Sequence, residues 1–230
     1  MKLRKNVIFL IIGALVLFAA GAFTYSVLNE FDAQGYVEAV LEQHLEGKIG
    51  KAAELVKDKS EEELEKQYED GVVTFVENNI TNGIEMEDEL KQQYVDLCKK
   101  IFKEMKYTVK EAEKISGKEY HVSVEYQATN VFQKFADSIT EESARLLEKV
   151  DKGEYKGTLE EINAQMQKEF LENCYALLDS IYQEMEYAEA ETEVFVIKKN
   201  ADGLFEIDET QINEFIEKIM GTQINQENQD

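Results

Sequence analysis

The chain has 230 residues, of which 48 are acidic and 25 basic, and it contains no proline. Three basic residues precede position 7 and every acidic residue follows position 28, so residues 29–230 hold 22 basic and 48 acidic side chains, a net charge of −26. A field of this sign repels nucleic acid and anionic lipid headgroups. Nucleic acid is therefore excluded as a partner, whereas cations and basic partners are not.

An uncharged stretch of 22 residues, Val7–Leu28, follows the basic residues Lys2, Arg4 and Lys5. About 20 apolar residues in a helix cover the hydrocarbon core of a bilayer. Positive charge that precedes a span stays in the cytoplasm, and Glu30 begins the acidic part that follows the span. We therefore predict that residues 1–28 are a signal and transmembrane anchor, with residues 7–28 in the membrane, the N-terminus cytoplasmic and the remainder extracytoplasmic.

A cleaved signal peptide is the alternative to a retained anchor. Ala20-Gly21-Ala22 has the small-x-small form of a signal-peptidase site and follows a shorter apolar core, Val7–Phe18. The apolar run continues to Leu28, and this extra length favours a single-pass anchor. No cysteine lies near the candidate site, so a lipid anchor is excluded. The alternative is secretion after cleavage near Ala22.

Helical periodicity dominates the first part of the acidic region. It predicts helices over 34–46 and 48–58, separated at Gly47, and a third from the capping box Ser60–Glu63 to about Asn82. A fourth is predicted over 86–105. Strands are then predicted at 106–115 and 118–128. In the second strand apolar and polar residues alternate, which predicts a hairpin with one buried and one solvated face.

The second part repeats this order of elements. A helix is predicted over 130–152, and a longer one from the capping box Thr158–Glu161 to Met185. A second hairpin, 186–198 and 203–207, turns at Asn200–Gly203, and a last helix covers 209–220. The polar tail, 221–230, is predicted to be disordered.

Two short segments resemble each other in sequence. Leu97–Tyr107 (LCKKIFKEMKY) aligns with Leu177–Tyr187 (LLDSIYQEMEY), and each is predicted to be a helix end that leads into a strand. We therefore predict one α+β domain, 29–220, with halves 34–128 and 130–220 as a pseudo-duplication, in which helices pack on one face of a four-stranded antiparallel sheet made of two hairpins. Chance similarity between amphipathic helices is the alternative explanation.

The start of the acidic region carries a resemblance to a family. FDAQGYVEAVLEQHLEGKIGKAAELV, from Phe31 to Val56, and SEEELEKQYEDGV, at 60–72, resemble an uncharacterised family of membrane-anchored, often lipidated, extracytoplasmic proteins of Gram-positive bacteria. The resemblance implies export and an α+β domain. It implies no reaction and no functional residues, and this chain lacks the cysteine of the lipidated members.

The polar face of the first hairpin is the candidate ligand face. His121, Ser123 and Glu125 alternate along one strand and could line a cleft. Alternate residues of one strand point the same way without forming the hydrogen bonds of a catalytic triad. We therefore interpret this face as a binding surface and predict no catalytic residue and no cofactor.

Two cysteines, Cys98 and Cys174, lie on the apolar stripes of predicted helices. Outside the cytoplasm such a pair can be bridged, and a loop of this length would stabilise the fold by about 4 kcal/mol. The alignment of the two halves leaves the cysteines one helical turn out of register, so two buried thiols are the alternative.

Acidic residues form several short runs. Most of them, such as Glu141-Glu142, stand where solvated helix surface explains them. Glu189, Glu191 and Glu193 differ because they share one face of a predicted strand. This face could meet a basic partner or a cation, but an exposed strand face that discourages edge pairing is the simpler interpretation.

These observations favour a membrane-anchored extracytoplasmic binding or interaction domain without enzymatic activity. Its partner would be a protein, an envelope component or a small ligand. A sensor or accessory subunit of a membrane complex is the second hypothesis, and a hydrolase-like enzyme that uses the His121 face is the third.

Overall fold

The computed structural model describes residues 31–55 and 59–222, which form an α+β fold. The described residues include seven α-helices: α1 Ala33–Leu41, α2 Gly50–Leu55, α3 Glu61–Phe75, α4 Asp88–Lys103, α5 Val131–Asp151, α6 Leu159–Gln183 and α7 Glu209–Ile219. They also include four strands: β1 Lys106–Ser116, β2 Glu119–Thr129, β3 Tyr187–Lys199 and β4 Phe205–Ile207. The predicted α+β class is confirmed, and so is the four-stranded antiparallel sheet.

The four strands form one antiparallel sheet in the order β1-β2-β3-β4. Strands β1 and β2 form the first hairpin, and β3 and β4 form the second. Strand β2 pairs with β3 in a continuous register from Glu119 opposite Lys198 to Gln127 opposite Ala190. Strand β4 is short and pairs only with Ile197–Lys199 of β3. Most of β3 therefore lies at an edge of the sheet.

One face of the sheet, here called the inner face, carries the hydrophobic core. Tyr120, Val122, Val124 and Tyr126 of β2 are each at most 7% exposed. Helices α1 and α7 contact this face, and Phe215 of α7 packs edge-on against Tyr126 and Phe195, with ring centroids about 5 Å apart. Burial of a side chain of this size stabilises a fold by about 1.5–3 kcal/mol.

Local sequence signals set the helix boundaries. Ser60 and Thr158 each accept a hydrogen bond from the backbone of the residue three positions later, and Glu63 and Glu161 complete the two capping boxes. Helices α1 and α3 end in π-helical turns, Glu42–Glu46 and Val76–Ile80. Gly47 closes the first of these turns at φ +66°, where a Cβ would lie 2.5 Å from the Tyr68 ring.

The two segments that align in sequence share a pair of backbone hydrogen bonds at the helix end. After α4, the amides of Glu104 and Met105 donate to the carbonyls three residues earlier, and after α6 those of Glu184 and Met185 do the same. Each junction leads directly into a strand, β1 or β3. After α7, the amides of Gly221 and Thr222 donate to carbonyls of its last turn. The pseudo-duplication itself stays a prediction.

Some predicted features lie outside the described residues. The anchor, 1–28, is among them, as are 56–58 of the second predicted helix and 223–230 of the tail. None of the helices within 31–55 and 59–222 is long and apolar enough to cross a membrane.

Candidate interaction face of the sheet

The outer face of the sheet is the side opposite the hydrophobic core. On its two central strands it consists of five cross-strand pairs, and in each pair the first residue lies on β2 and the second on β3. No side chain in this set is buried. The pairs are Glu119 with Lys198, His121 with Val196, Ser123 with Val194, Glu125 with Thr192, and Gln127 with Ala190.

The outer face divides into a polar column and a less polar one. The β2 column carries charged and hydrogen-bonding groups, whereas the β3 column carries mainly alanine, threonine and valine. Val194 is 43% exposed, and within the described residues only Ile115 and Leu159 are other large hydrophobic side chains at this level of exposure. A mixed accessible surface of this kind is suited to holding a ligand.

The three predicted ligand-face residues share the outer face, as the alternation predicts. The His121 Nε2 atom lies 2.9 Å from Glu119 Oε1, and Glu125 Oε2 lies 3.3 Å from Lys110 Nζ. The first contact lies within β2 and the second links β2 to β1, and neither involves Ser123. The row therefore supplies separate polar contacts, without the serine–histidine–carboxylate relay that hydrolysis by such a row would need.

The acidic run on β3 does not belong to the outer face. Glu191 and Glu193 alternate in phase with the buried Phe195 and therefore continue the inner face, whereas Glu189 lies at a register shift between Tyr187 and Ala190. Glu191 accepts a hydrogen bond of 3.1 Å from the Tyr126 hydroxyl, and Glu193 pairs with Lys218 of α7. The predicted exposed strand face agrees with Glu189 and Glu191, which are exposed, whereas Glu193 is half-buried and contacts α7 through Lys218.

An acid-lined groove of about 880 Å³ runs past the start of β1. Glu38, Glu42 and Glu46 follow one face of α1 and its π-helical turn, and Lys48 and Lys51 pair with them at 2.7–3.5 Å. The Tyr107 hydroxyl donates to Glu46 Oε1 at 2.7 Å, and burial, with this carboxylate, raises the pKa of Tyr107. Lys48 and Lys51 neutralise charge on these acids, and the Tyr107–Glu46 hydrogen bond ties β1 to the π-helical turn after α1. We therefore interpret the groove as a structural junction between α1 and β1.

Both cysteines are buried free thiols. The disulfide that the sequence left open is therefore not formed in this structure. Burial raises the pKa of Cys98, and it raises that of Cys174 to about 12. A buried protonated thiol is a poor nucleophile. The two residues act as small core side chains of α4 and α6.

His44 is also a core residue. Its Nδ1 atom lies 2.7 Å from the Val40 carbonyl oxygen, and burial lowers its pKa. The ring is therefore neutral near pH 7, and it stands in the π-helical turn away from the outer face of the sheet. Within the described residues no three side chains of the metal-binding types converge.

The sequence interpretation missed a charged network between α5 and α6. Glu142, whose side chain is 8% exposed, receives two hydrogen bonds of 2.7 Å from Arg145 and one of 2.8 Å from Asn173. Glu169 accepts from Arg145, Lys149 and Tyr155. The Lys149 ammonium is the main reason why the pKa of Glu169 falls to about 2. The spacing of Glu142 and Arg145, three residues on one helix, was the available signal.

Comparisons of the chain with protein-family models, with curated proteins and with solved structures give no significant match. The resemblance of Phe31–Val56 to a family of extracytoplasmic proteins therefore stays a prediction.

Proposed function

We propose that this protein is a membrane-anchored extracytoplasmic binding domain, without enzymatic activity, that holds a partner on the outer face of its sheet. One observation carries the proposal: this face presents the β2 polar column beside exposed Ala190, Thr192 and Val194 on β3. A rigid sheet with adjacent polar and apolar columns can supply both orientation and buried area to a ligand.

The route from the anchor to the domain supports this role. The first described residue, Phe31, stacks on Phe205 at 4.2 Å and lies edge-on to Tyr120 at 5.4 Å, so the chain enters the domain at the β4 end of the sheet. The pairs Glu125–Thr192 and Gln127–Ala190 lie at the other end. At about 3.3 Å per residue, five to seven strand residues separate this end from Ile197 by roughly 20 Å. An anchor over 7–28 would therefore leave it clear of the bilayer.

The test is crosslinking of the full chain in its native membrane, followed by purification and mass spectrometry. The key variant changes Ser123→Arg and Val194→Arg, a cross-strand pair at the centre of the outer face. The control changes Ala144→Arg and Asn163→Arg, which are exposed on α5 and α6 and add the same charge. We expect the wild type and the control to retain one stoichiometric partner, and the outer-face variant to lose it.

Two other results would contradict the proposal. Retention of the partner by the outer-face variant would place binding elsewhere on the domain. Loss of the partner after residues 7–28 are replaced by an unrelated span would favour the sensor or accessory hypothesis instead. The variant His121→Ala distinguishes the enzyme hypothesis from the binding hypothesis. A hydrolase that uses this face would lose turnover in this variant while it kept its fold.

A further inference from the structure

The backbone of β3 has an uncovered edge. Six of the seven residues in Ala188–Val194 are exposed, and β4 pairs with β3 only from Ile197 to Lys199. The Val196 amide donates outward to the Gln211 side chain, at 3.0 Å. Because backbone groups of successive residues in a strand point to alternate sides, the amides and carbonyls of Ala190, Thr192 and Val194 also point away from β2.

These outward groups have no hydrogen-bond partner among the described residues. The β2–β3 register is unbroken from Glu119 to Gln127, so β3 is regular and extended from Ala190 to Lys198, and a register shift lies between Ala190 and Tyr187. An edge strand of this kind is a template for one further strand. The edge therefore offers backbone hydrogen bonds to an extended peptide.

The side chains that flank the edge define the chemistry of such a peptide. On the inner-face side stand Glu191 and Glu193, of which Glu193 is neutralised by Lys218, and Glu189 follows at the register shift. On the outer-face side stand Ala190, Thr192 and Val194. Neighbouring strands place side chains of the same face beside one another. An added strand would thus alternate basic residues with small or β-branched ones.

The acidic run also argues against a second copy of this chain as the occupant. An antiparallel pairing of two such edges centred on Glu191 would place Glu191 opposite its own copy and Glu189 opposite Glu193. Like charges directly opposite destabilise a strand pair. The net charge of −26 on residues 29–230 adds repulsion between copies and attraction for a basic chain.

We infer that the free edge of β3, Ala190–Val194, binds an extended basic segment of a partner protein as a fifth strand of the sheet. This inference rests on the proposed binding function and names the partner's chemistry. The added strand would also extend the outer face past Thr192 and Val194.

The test uses the full chain in detergent micelles and a synthetic seven-residue peptide that alternates lysine with valine or threonine. Its matched control has the same sequence and charge but carries N-methyl groups on the alternate amides that would donate to β3. We expect the first peptide to bind at least about tenfold more tightly than the control, since N-methylation removes several backbone hydrogen bonds at once. Hydrogen exchange should slow at 190–194 in the bound form.

Two variants keep the test specific. Thr192→Pro removes an outward amide without breaking the β2–β3 ladder, so it should keep the fold and lose the peptide. Glu189→Lys with Glu191→Lys should reverse the preference to a peptide that has glutamate in place of lysine. Glu62→Lys with Glu65→Lys, two exposed residues of α3, makes the same change in net charge and should leave the preference unchanged.

Several results would overturn the inference. Equal binding of the N-methylated peptide would mean that charge alone attracts it. Binding that appears only after residues 223–230 are removed would make the chain's own tail the occupant, and dimerisation that Thr192→Pro abolishes would make a second copy the occupant. If no peptide binds while the Ser123→Arg and Val194→Arg variant still loses its crosslinked partner, strand addition fails and the proposed function stands. If that variant also keeps its partner, both fail.

Discussion

The two edges of the sheet differ in how they are protected. At the β1 edge the pairing with β2 is interrupted by a bulge between Val109 and Ala112, lysines stand at 106, 110 and 114, and Tyr107 bonds to Glu46 next to α1. At the β3 edge the pairing is regular from Ala190 to Lys198, with a register shift between Tyr187 and Ala190. The strand carries no lysine from 187 to 197, and most residues are exposed.

This difference is the basis for proposing β3 as the binding edge. Bulges, lysines and covering elements are the means by which proteins prevent further strand pairing. The fold uses all three on β1, whereas β3 is regular from Ala190 to Val194 and carries acidic residues there. Acidic residues exclude a like-charged strand but accept a basic one, so the β3 edge is selective and the β1 edge is closed.

The largest expected effect is the difference in stability between variants on the inner face and on the outer face of β3. Phe195 is 1% exposed and packs edge-on against Phe215, whereas its neighbour Val194 is 43% exposed. Phe195→Ala should lower the free energy of unfolding by about 3–5 kcal/mol because it leaves a cavity. Val194→Ala should change it by less than about 0.5 kcal/mol. Denaturant unfolding of both variants measures this, and similar costs would mean that β3 is not held by its inner face.

A smaller effect is expected at the protected edge. Tyr107→Phe removes the 2.7 Å hydrogen bond to Glu46 and should cost about 1.5 kcal/mol, since bonds to charged groups are the stronger ones. Thr192→Val on β3 removes a hydroxyl that bonds to no described residue and should cost almost nothing. If thermal unfolding showed equal losses, the two edges would not differ in their ties to the rest of the domain.

The acids of the α5–α6 network stabilise the fold, whereas those of β3 are proposed to bind a partner. The pKa of Glu169 is lowered to about 2, so its contribution is fully present above the unfolded value of about 4.3 and is lost as the pH falls towards 2. Glu169→Gln should lower the free energy of unfolding at pH 7 by about 1 kcal/mol, a value that allows for solvent screening of the partly exposed carboxylate. It should also make the decline in stability between pH 4.5 and 2 less steep. Unfolding measured across this range checks the prediction.

The matched variant for this experiment is Glu191→Gln. It keeps an acceptor for the Tyr126 hydroxyl, so it should leave stability within about 0.5 kcal/mol at every pH. An equal pH effect in both variants would show that the acids of β3 are structural.

The smallest expected effect concerns His121. Its side chain is 33% exposed and bonds only to Glu119 among the described residues. His121→Ala should therefore change the free energy of unfolding by less than about 0.5 kcal/mol. Equilibrium unfolding of the variant measures this, and a loss above about 2 kcal/mol would make His121 part of the fold rather than of the binding surface.

Much of the fold could be predicted from local sequence signals. The capping boxes at Ser60 and Thr158 gave the starts of α3 and α6, and alternation in β2 gave the buried face of the first hairpin. These signals act within one element, so no distant contact was needed to interpret them. The candidate face of His121, Ser123 and Glu125 followed from the same alternation.

Features that depend on distant pairing could not be predicted. The face of Glu191 is set by its pairing with Tyr126, 65 residues earlier, and Glu193 meets Lys218 of the last helix. The sequence alone shows that the acids share a face but not which side of the sheet it is. The burial of Glu142 likewise depends on α6, which supplies Asn173.

The most direct test places a photo-crosslinking amino acid at either Thr192 or Thr108 of the full chain in its native membrane. Both threonines are exposed and flank Glu125 on the outer face, Thr192 on β3 and Thr108 on β1. We expect a stoichiometric adduct with one partner protein from position 192 and none from position 108. Equal adducts from both positions, or an adduct from position 108 alone, would contradict the claim that the β3 edge is the binding edge.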